Sequence, residues 1–210
     1  MNAKKTIAFV VVSLLVASRA LAQTEGIKEA NKFIKTIDST SQAVTDARAK
    51  TKTALDAYNA LIKGDSTDMK GDYKKLVKAE KDMNNQVANA RKTAGDMDKQ
   101  AAAYFAARST AIDQIADASM RDQAKSRLDQ SKQSFDKVKS SLKGAGDALS
   151  PFAKDLSDQI TYLGQELTPA AAASLKPQGE ELHKKSETLF AQTDAALTNA
   201  TNYVNTLKAG

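Results

Sequence analysis

The pattern of apolar and polar positions after residue 23 repeats in steps of three and four, the spacing that lines one face of an α-helix. A first series runs Ile27, Ala30, Ile34, Ile37, Ser41, Val44, Arg48, Thr51, Leu55, Tyr58, Ile62, with an arginine inside an otherwise small or apolar seam. A second runs Tyr73, Leu76, Glu80, Met83, Val87, Ala90, Ala94, Met97, Ala101, Tyr104, Arg108, Ile112, Ile115. The third is the most apolar: Leu128, Ser131, Phe135, Val138, Leu142, Ala145, Leu149, Phe152, Leu156, Ile160, Leu163, Leu167. The fourth is Phe190, Thr193, Leu197, Ala200, Val204, Leu207, widened by Leu182, Leu189, Ala196 and Tyr203. No alternating Val/Ile/Thr run bounded by turns competes with these, so the pattern predicts an all-α chain.

Breaks fall between the series. In "GDSTDMKGD" Gly64 offers a stop, and Ser66, Thr67 or Asp68 can accept from the free N–H groups of the next helix start. "ADAS", Ala116 to Ser119, reads as a turn with Ser119 and Asp122 as a capping box. Pro151 falls inside the third series; the unbroken register across it favours a kink over a new start at Ser150. Thr168-Pro169 has the cap-plus-proline form of a helix start, with a second break expected at Pro177. Short turns between long helices imply antiparallel neighbours. The expected architecture is an elongated antiparallel helical bundle, or coiled coil, of about four long helices. Folding back on "ADAS" brings Gly95 level with Gly144 and Gly146. Glycine in a helix costs about 1 kcal/mol against alanine, which leaves two readings, a hinge or close backbone crossing, or glycines tolerated on exposed faces.

The N-terminus alters the picture of where the protein works. Lys4 and Lys5 precede an apolar run from Ile7 to Val16, and Ala20-Leu21-Ala22 precedes Gln23. A basic start, a short apolar segment and a small-x-small site are the order of a secretory signal. The run is shorter than the ~20 residues a membrane-spanning helix needs. The domain reading is therefore a signal peptide at 1–22, cleaved after Ala22, and one helical-bundle domain at 23–210, with a periplasmic destination and no transmembrane segment after cleavage. Losing Lys4, Lys5 and Arg19 with the signal lowers the formal charge from +6 to +3. Basic and acidic residues are interspersed, as on solvated helix faces, which argues against nucleic acid as a partner. With no cysteine, the chain must fold on packing alone.

Three segments carry a family resemblance: "YKKLVKAEKDM", "ARSTAIDQIADASMRDQAKSRL" and above all "LSDQITYLGQELTPAAAASL", Leu156 to Leu175. They resemble the bacterial family described as domain of unknown function 2959. The resemblance implies an exported, coiled-coil-like helical protein and brings no activity, cofactor, partner or site residue with it. Some relatives look like lipoproteins, a trait for which this chain has no cysteine.

Candidate chemistry reduces to "GEELHKK", Gly179 to Lys185. Glu180 and His183 have the Glu-x-x-His spacing by which a helix contributes to a di-iron centre, but that site needs a second such motif. The chain has one histidine, and Lys184 and Lys185 beside it repel a cation. No glycine-rich phosphate loop follows a strand, and Asp65, Asp68 and Asp72 lack calcium-loop spacing. The expectation is a non-enzymatic protein without catalytic, metal or cofactor residues.

Three functions fit: an envelope scaffold or protein-interaction module, a holdase-like periplasmic chaperone, or a peripheral lipid-binding helical rod. The first is favoured, with another envelope protein or a second copy of the chain as partner and membrane-surface contact left open. From Thr188 to Gly210 only Asp194 and Lys208 are charged, so the candidate interface is Gln192, Thr198, Asn199, Asn202, Tyr203 and Asn205. The same pattern also fits a helix buried deeper in its own bundle.

Overall fold

The computed structural model describes the backbone of residues 3–209 and the side chains of residues 26–209. The segment 1–22, read above as an export signal, lies outside the residues whose side chains are described. Five helices follow in order: α1 (Ala3–Ile62), α2 (Met69–Asp113), α3 (Ala118–Gln165), α4 (Pro169–Ser174) and α5 (Lys176–Ala209). Helices α1, α2, α3 and α5 form an antiparallel four-helix bundle, and no strand occurs among the described residues. The 48 residues of α3 span about 72 Å at 1.5 Å per residue.

The helix ends follow local chemistry. Gly64 takes φ of 80°, the left-handed conformation glycine adopts cheaply, and closes α1 with its N–H on the Leu61 carbonyl. Of the three capping candidates for α2, Asp68 is the one used, accepting from the Gly71 N–H at 2.9 Å. Helix α3 starts one residue before Ser119, capped by Asp117, whose carboxylate accepts from the Met120 N–H at 2.8 Å. The Ser119/Asp122 capping box is thereby corrected: the helix begins at Ala118, so the carboxylate of Asp117 meets the free donors and Ser119 already lies inside the first turn. Thr168 caps α4 with Pro169 behind it, as its sequence predicts. The second break precedes Pro177, at Leu175, and Pro177 sits in the first turn of α5, where its missing N–H leaves no bond unmade. Helix α3 runs continuously through Pro151.

Around the bundle, α1 neighbours α2 and α5, while α3 neighbours α2 and α5. The α1/α2 pair is fixed by Thr40 Oγ1 on the Thr93 carbonyl at 3.1 Å and Gln100 Nε2 on Glu29 at 2.6 Å. The α3/α5 pair is joined by the Ser131 and Tyr203 hydroxyls at 3.0 Å and by the Lys185–Asp155 ion pair. Between the two pairs, the Tyr73 hydroxyl donates to the Ile160 carbonyl at 3.2 Å and Tyr58 donates to Gln159.

The buried seams of α2 and α3 are those the periodicity predicts. Those of α1 and α5 are broader and shifted. On α1 the centre is Phe33, Ile37, Thr40, Ala47, Thr51, Ala54, Tyr58 and Leu61, with Ile34, Ser41 and Arg48 at the edge. On α5 the residues read as widening the stripe are its centre: Leu182, Leu189, Ala196 and Tyr203 are buried, joined by Ser186 and Thr193, while Phe190, Leu197 and Leu207 flank them. Every long helix packs on two neighbours, which gives room for an apolar arc wider than a single coiled-coil seam, and α1 and α5 use that width.

Two large core clusters result. One, toward the α1–α2 turn, holds Tyr58, Leu61, Leu76, Met83, Phe152, Leu156, Leu163 and Leu182. The other is built on aromatic rings: Phe33 lies 5.1 Å from both Tyr104 and Phe135, and Phe135 lies 5.8 Å from Tyr203. A small third cluster, Ile112, Ala124 and Leu128, closes the α2–α3 turn.

Candidate functional site

Between the two large clusters the core changes character. Ala47, Thr51, Ala145, Thr193 and Ala196 are buried at this level but belong to neither cluster. These small side chains, with Leu142, Leu149, Leu189 and Phe190 beside them, border a half-open cavity of about 110 Å³ lined by all four long helices. Its polar groups are few. The hydroxyls of Thr51 and Thr193 donate to the carbonyls of Ala47 and Leu189 in their own helices, at 2.8 Å each, and bring no free donor to the cavity.

Two arginines border this space. Arg48 reaches from α1 to α5, with Nε 2.9 Å from Asp194 Oδ1 and Nη2 2.9 Å from Oδ2. The Nε contact is a charge contact with poor hydrogen-bond alignment. The same guanidinium lies 4.8 Å from the centre of the Phe190 ring, a cation–π stack. This accounts for an arginine in the α1 seam and for one of the two charges near the end of α5. Arg91, on α2, is exposed and has no ion-pair or hydrogen-bond partner among the described residues.

The cavity meets a groove of about 750 Å³ between α2 and α3, through Arg91, Ala94, Leu142 and Gly146, which line both. Gly95 and Gly146 stand in this groove, as the fold-back on the α2–α3 turn predicts. Neither marks a close backbone crossing: a Cβ added at either would meet nothing within 4 Å. Lys139 pairs with Asp98 at 3.4 Å across the groove, and Lys143 with Asp147 at 2.6 Å along α3.

The sequence-predicted interface divides. Gln192, Thr198, Asn202 and Asn205 are exposed on the outside of α5, and Asn199 is half-buried. Tyr203 is corrected: it is 3% exposed, inside the aromatic cluster, with its hydroxyl on Ser131. Its spacing fits both faces, and its partners Ser131 and Phe135 on α3, 72 and 68 residues earlier, cannot be seen from α5 alone. Burial holds its phenol protonated above the ordinary tyrosine range. The exposed four are uncharged, with the Arg48–Asp194 pair one turn before Thr198, whereas elsewhere helix exteriors carry ladders such as Lys52–Asp56, Lys78–Asp82 and Lys154–Asp158.

His183 is exposed and faces Glu187 at 3.6 Å, one turn on. Among the described residues no three His, Cys, Asp or Glu side chains gather where they could hold a metal, and no helix is long and apolar enough to cross a membrane.

Fold and surface together define an all-α antiparallel bundle with a subdivided core. A family model described as "protein of unknown function (DUF2959)" matches residues 20–207, and the chain belongs to this family. Neither the curated proteins nor the solved structures contain a match.

Proposed function

We propose that the protein is an exported, non-enzymatic helical module that binds another envelope protein, or a second copy of itself, through the outer face of α5. The observation that carries this reading is the uncharged exposed surface of Gln192, Thr198, Asn202 and Asn205 on a bundle whose other faces are laddered with ion pairs. Asparagine and threonine are poor helix formers, and on a free surface Glu or Lys would serve solubility better. Interface centres are depleted in charge. The export signature of residues 1–22, with Ala22 before the cleavage point, supports a periplasmic site of action.

A photo-crosslinking residue at Asn202, expressed in cells, is expected to give one discrete adduct that the same residue at Lys137 on α3 does not. With the crosslinking residue moved to Thr198, Asn199→Glu with Asn202→Glu is expected to abolish the adduct while leaving the melting temperature of the purified protein unchanged. A ladder of many adducts would instead favour the holdase-like reading. No adduct from Gln192, Thr198 or Asn202 would remove the interface.

A further inference from the structure

We infer that the partner of the α5 face is a second copy of the chain, packed α5 against α5 in antiparallel orientation about a twofold axis level with Ala200 and Thr201. The inference rests on the protein-binding reading above and narrows it to one occupant. It begins with the outward seam of α5. Ala191, Ala195, Thr198, Asn202, Asn205 and Ala209 follow one another in steps of four and three, the spacing of a coiled-coil seam, and all six are exposed. They lie opposite Leu189, Thr193, Ala196 and Ala200, which face the bundle. No side chain among the six is charged or larger than asparagine, so a second helix can approach closely.

The seam is complementary to its own reverse. In the antiparallel pair Ala191 meets the partner's Ala209, Ala195 meets the partner's Asn205, and Thr198 meets the partner's Asn202. Each amide is thus set against a smaller side chain. The Thr198 hydroxyl donates to the Asp194 carbonyl and is left free to accept from the facing amide.

Charge selects the direction. From Thr188 onward the only charged residues are Asp194 and Lys208, opposite in sign, on one flank of the seam and each seven residues from Thr201. Reversal about this level brings Asp194 of each copy to the partner's Lys208, whereas a parallel copy would set like charges together. Lys208 has no ion-pair or hydrogen-bond partner among the described residues. Asp194 is engaged by Arg48 but its side chain remains 56% exposed, and a carboxylate offers about four acceptor sites. The partner's α5 ends near the level of Phe190, so Glu187 and the charged turns before it stay outside the contact. Asparagines in such a seam specify register at a cost in stability, which makes this a reversible pair.

The chain has no cysteine, so introduced cysteines report the register directly. Copies carrying Ala195→Cys mixed with copies carrying Asn205→Cys are expected to form disulfide-linked dimers in air about tenfold faster than either copy alone, because like positions stand about 15 Å apart. Equal rates, or faster linking by either copy alone, would overturn the antiparallel pair. In sedimentation equilibrium the wild type is expected to show a monomer–dimer equilibrium that Lys208→Arg retains and Lys208→Glu weakens about tenfold. A wild type that stays monomeric at every concentration would overturn the second copy. The photo-crosslink at Asn202 separates this failure from that of the reading beneath it. An adduct of twice the chain mass supports the self-pair; one of any other mass keeps the protein-binding face and overturns the second copy; no adduct removes both.

Discussion

The level of Phe33 and the level of Ala145 are built on the same four helices with the same three-and-four spacing, yet one is filled with rings and the other holds a cavity. At the first, Phe33, Tyr104, Phe135 and Tyr203 meet from four helices with centroids within 6 Å of a neighbour. At the second, Ala47, Thr51, Ala145 and Thr193 are buried, while the larger Val87, Leu142, Leu149 and Phe190 stand only partly buried around the open space. The difference teaches that periodicity fixes which residues point inward, while side-chain volume decides whether the space they enclose is filled.

The largest effect that would sharpen this contrast is expected from Phe33→Ala, with a loss of about 3–5 kcal/mol in urea unfolding, because a ring touching four others leaves a hole the bundle cannot close. Leu156→Ala, fully buried in the lower cluster, should cost about 2–5 kcal/mol. Leu142→Ala beside the cavity should cost less than half of that, since Leu142 is only partly buried and already borders empty space. Equal losses at the two leucines would mean that the middle is packed as tightly as the ends.

A pH-dependent contrast follows. Burial raises the pKa of Tyr58, Tyr104 and Tyr203 in the folded chain above the unfolded value of about 10. The folded state therefore binds more protons once the pH passes that value, so this stability is fully present below it and is lost as the pH rises through the raised values. Urea midpoints should fall between about pH 9 and pH 11.5. Tyr58→Phe together with Tyr203→Phe should flatten that fall, and an unchanged slope would contradict the burial of these phenols.

The smallest effect belongs to the exposed bridge over the cavity. Arg48→Met retains an apolar stem and removes the pair with Asp194, whose side chains are 32% and 56% exposed. Such pairs contribute about 0–1 kcal/mol, so a loss well beyond that would make Arg48 a structural clamp at this level.

Much of this was legible in the residue order. The α2 and α3 seams, the turns at Gly64 and Thr168, and the alignment of Gly95 with Gly146 all follow from spacing and reflection about the turns. The aromatic level was not legible in this way, because Tyr104 stands 9 residues before the end of α2 and Phe135 stands 17 residues after the start of α3. What spacing missed lies on α1 and α5. Ser186 and Thr193 are polar by type but buried with hydroxyls bonded to their own backbone, and Arg48 reads as an interruption until Asp194 and Phe190 are brought beside it by the fold. The cavity itself depends on summed volumes across four helices, which no single helix reveals.

The claim that the middle is open and the levels around it closed is tested most directly by one pair of melts. Alanine at Gly146 gains helix propensity of about 1 kcal/mol with nothing in its way. Alanine at Gly179 gains the same propensity but drives a methyl into Ile62 beside Tyr58, where overpacking costs about 1–3 kcal/mol. Thermal denaturation of the two variants should therefore move in opposite directions, Gly146→Ala above wild type and Gly179→Ala below it. A fall in both would show that the middle of the bundle is as full as its ends.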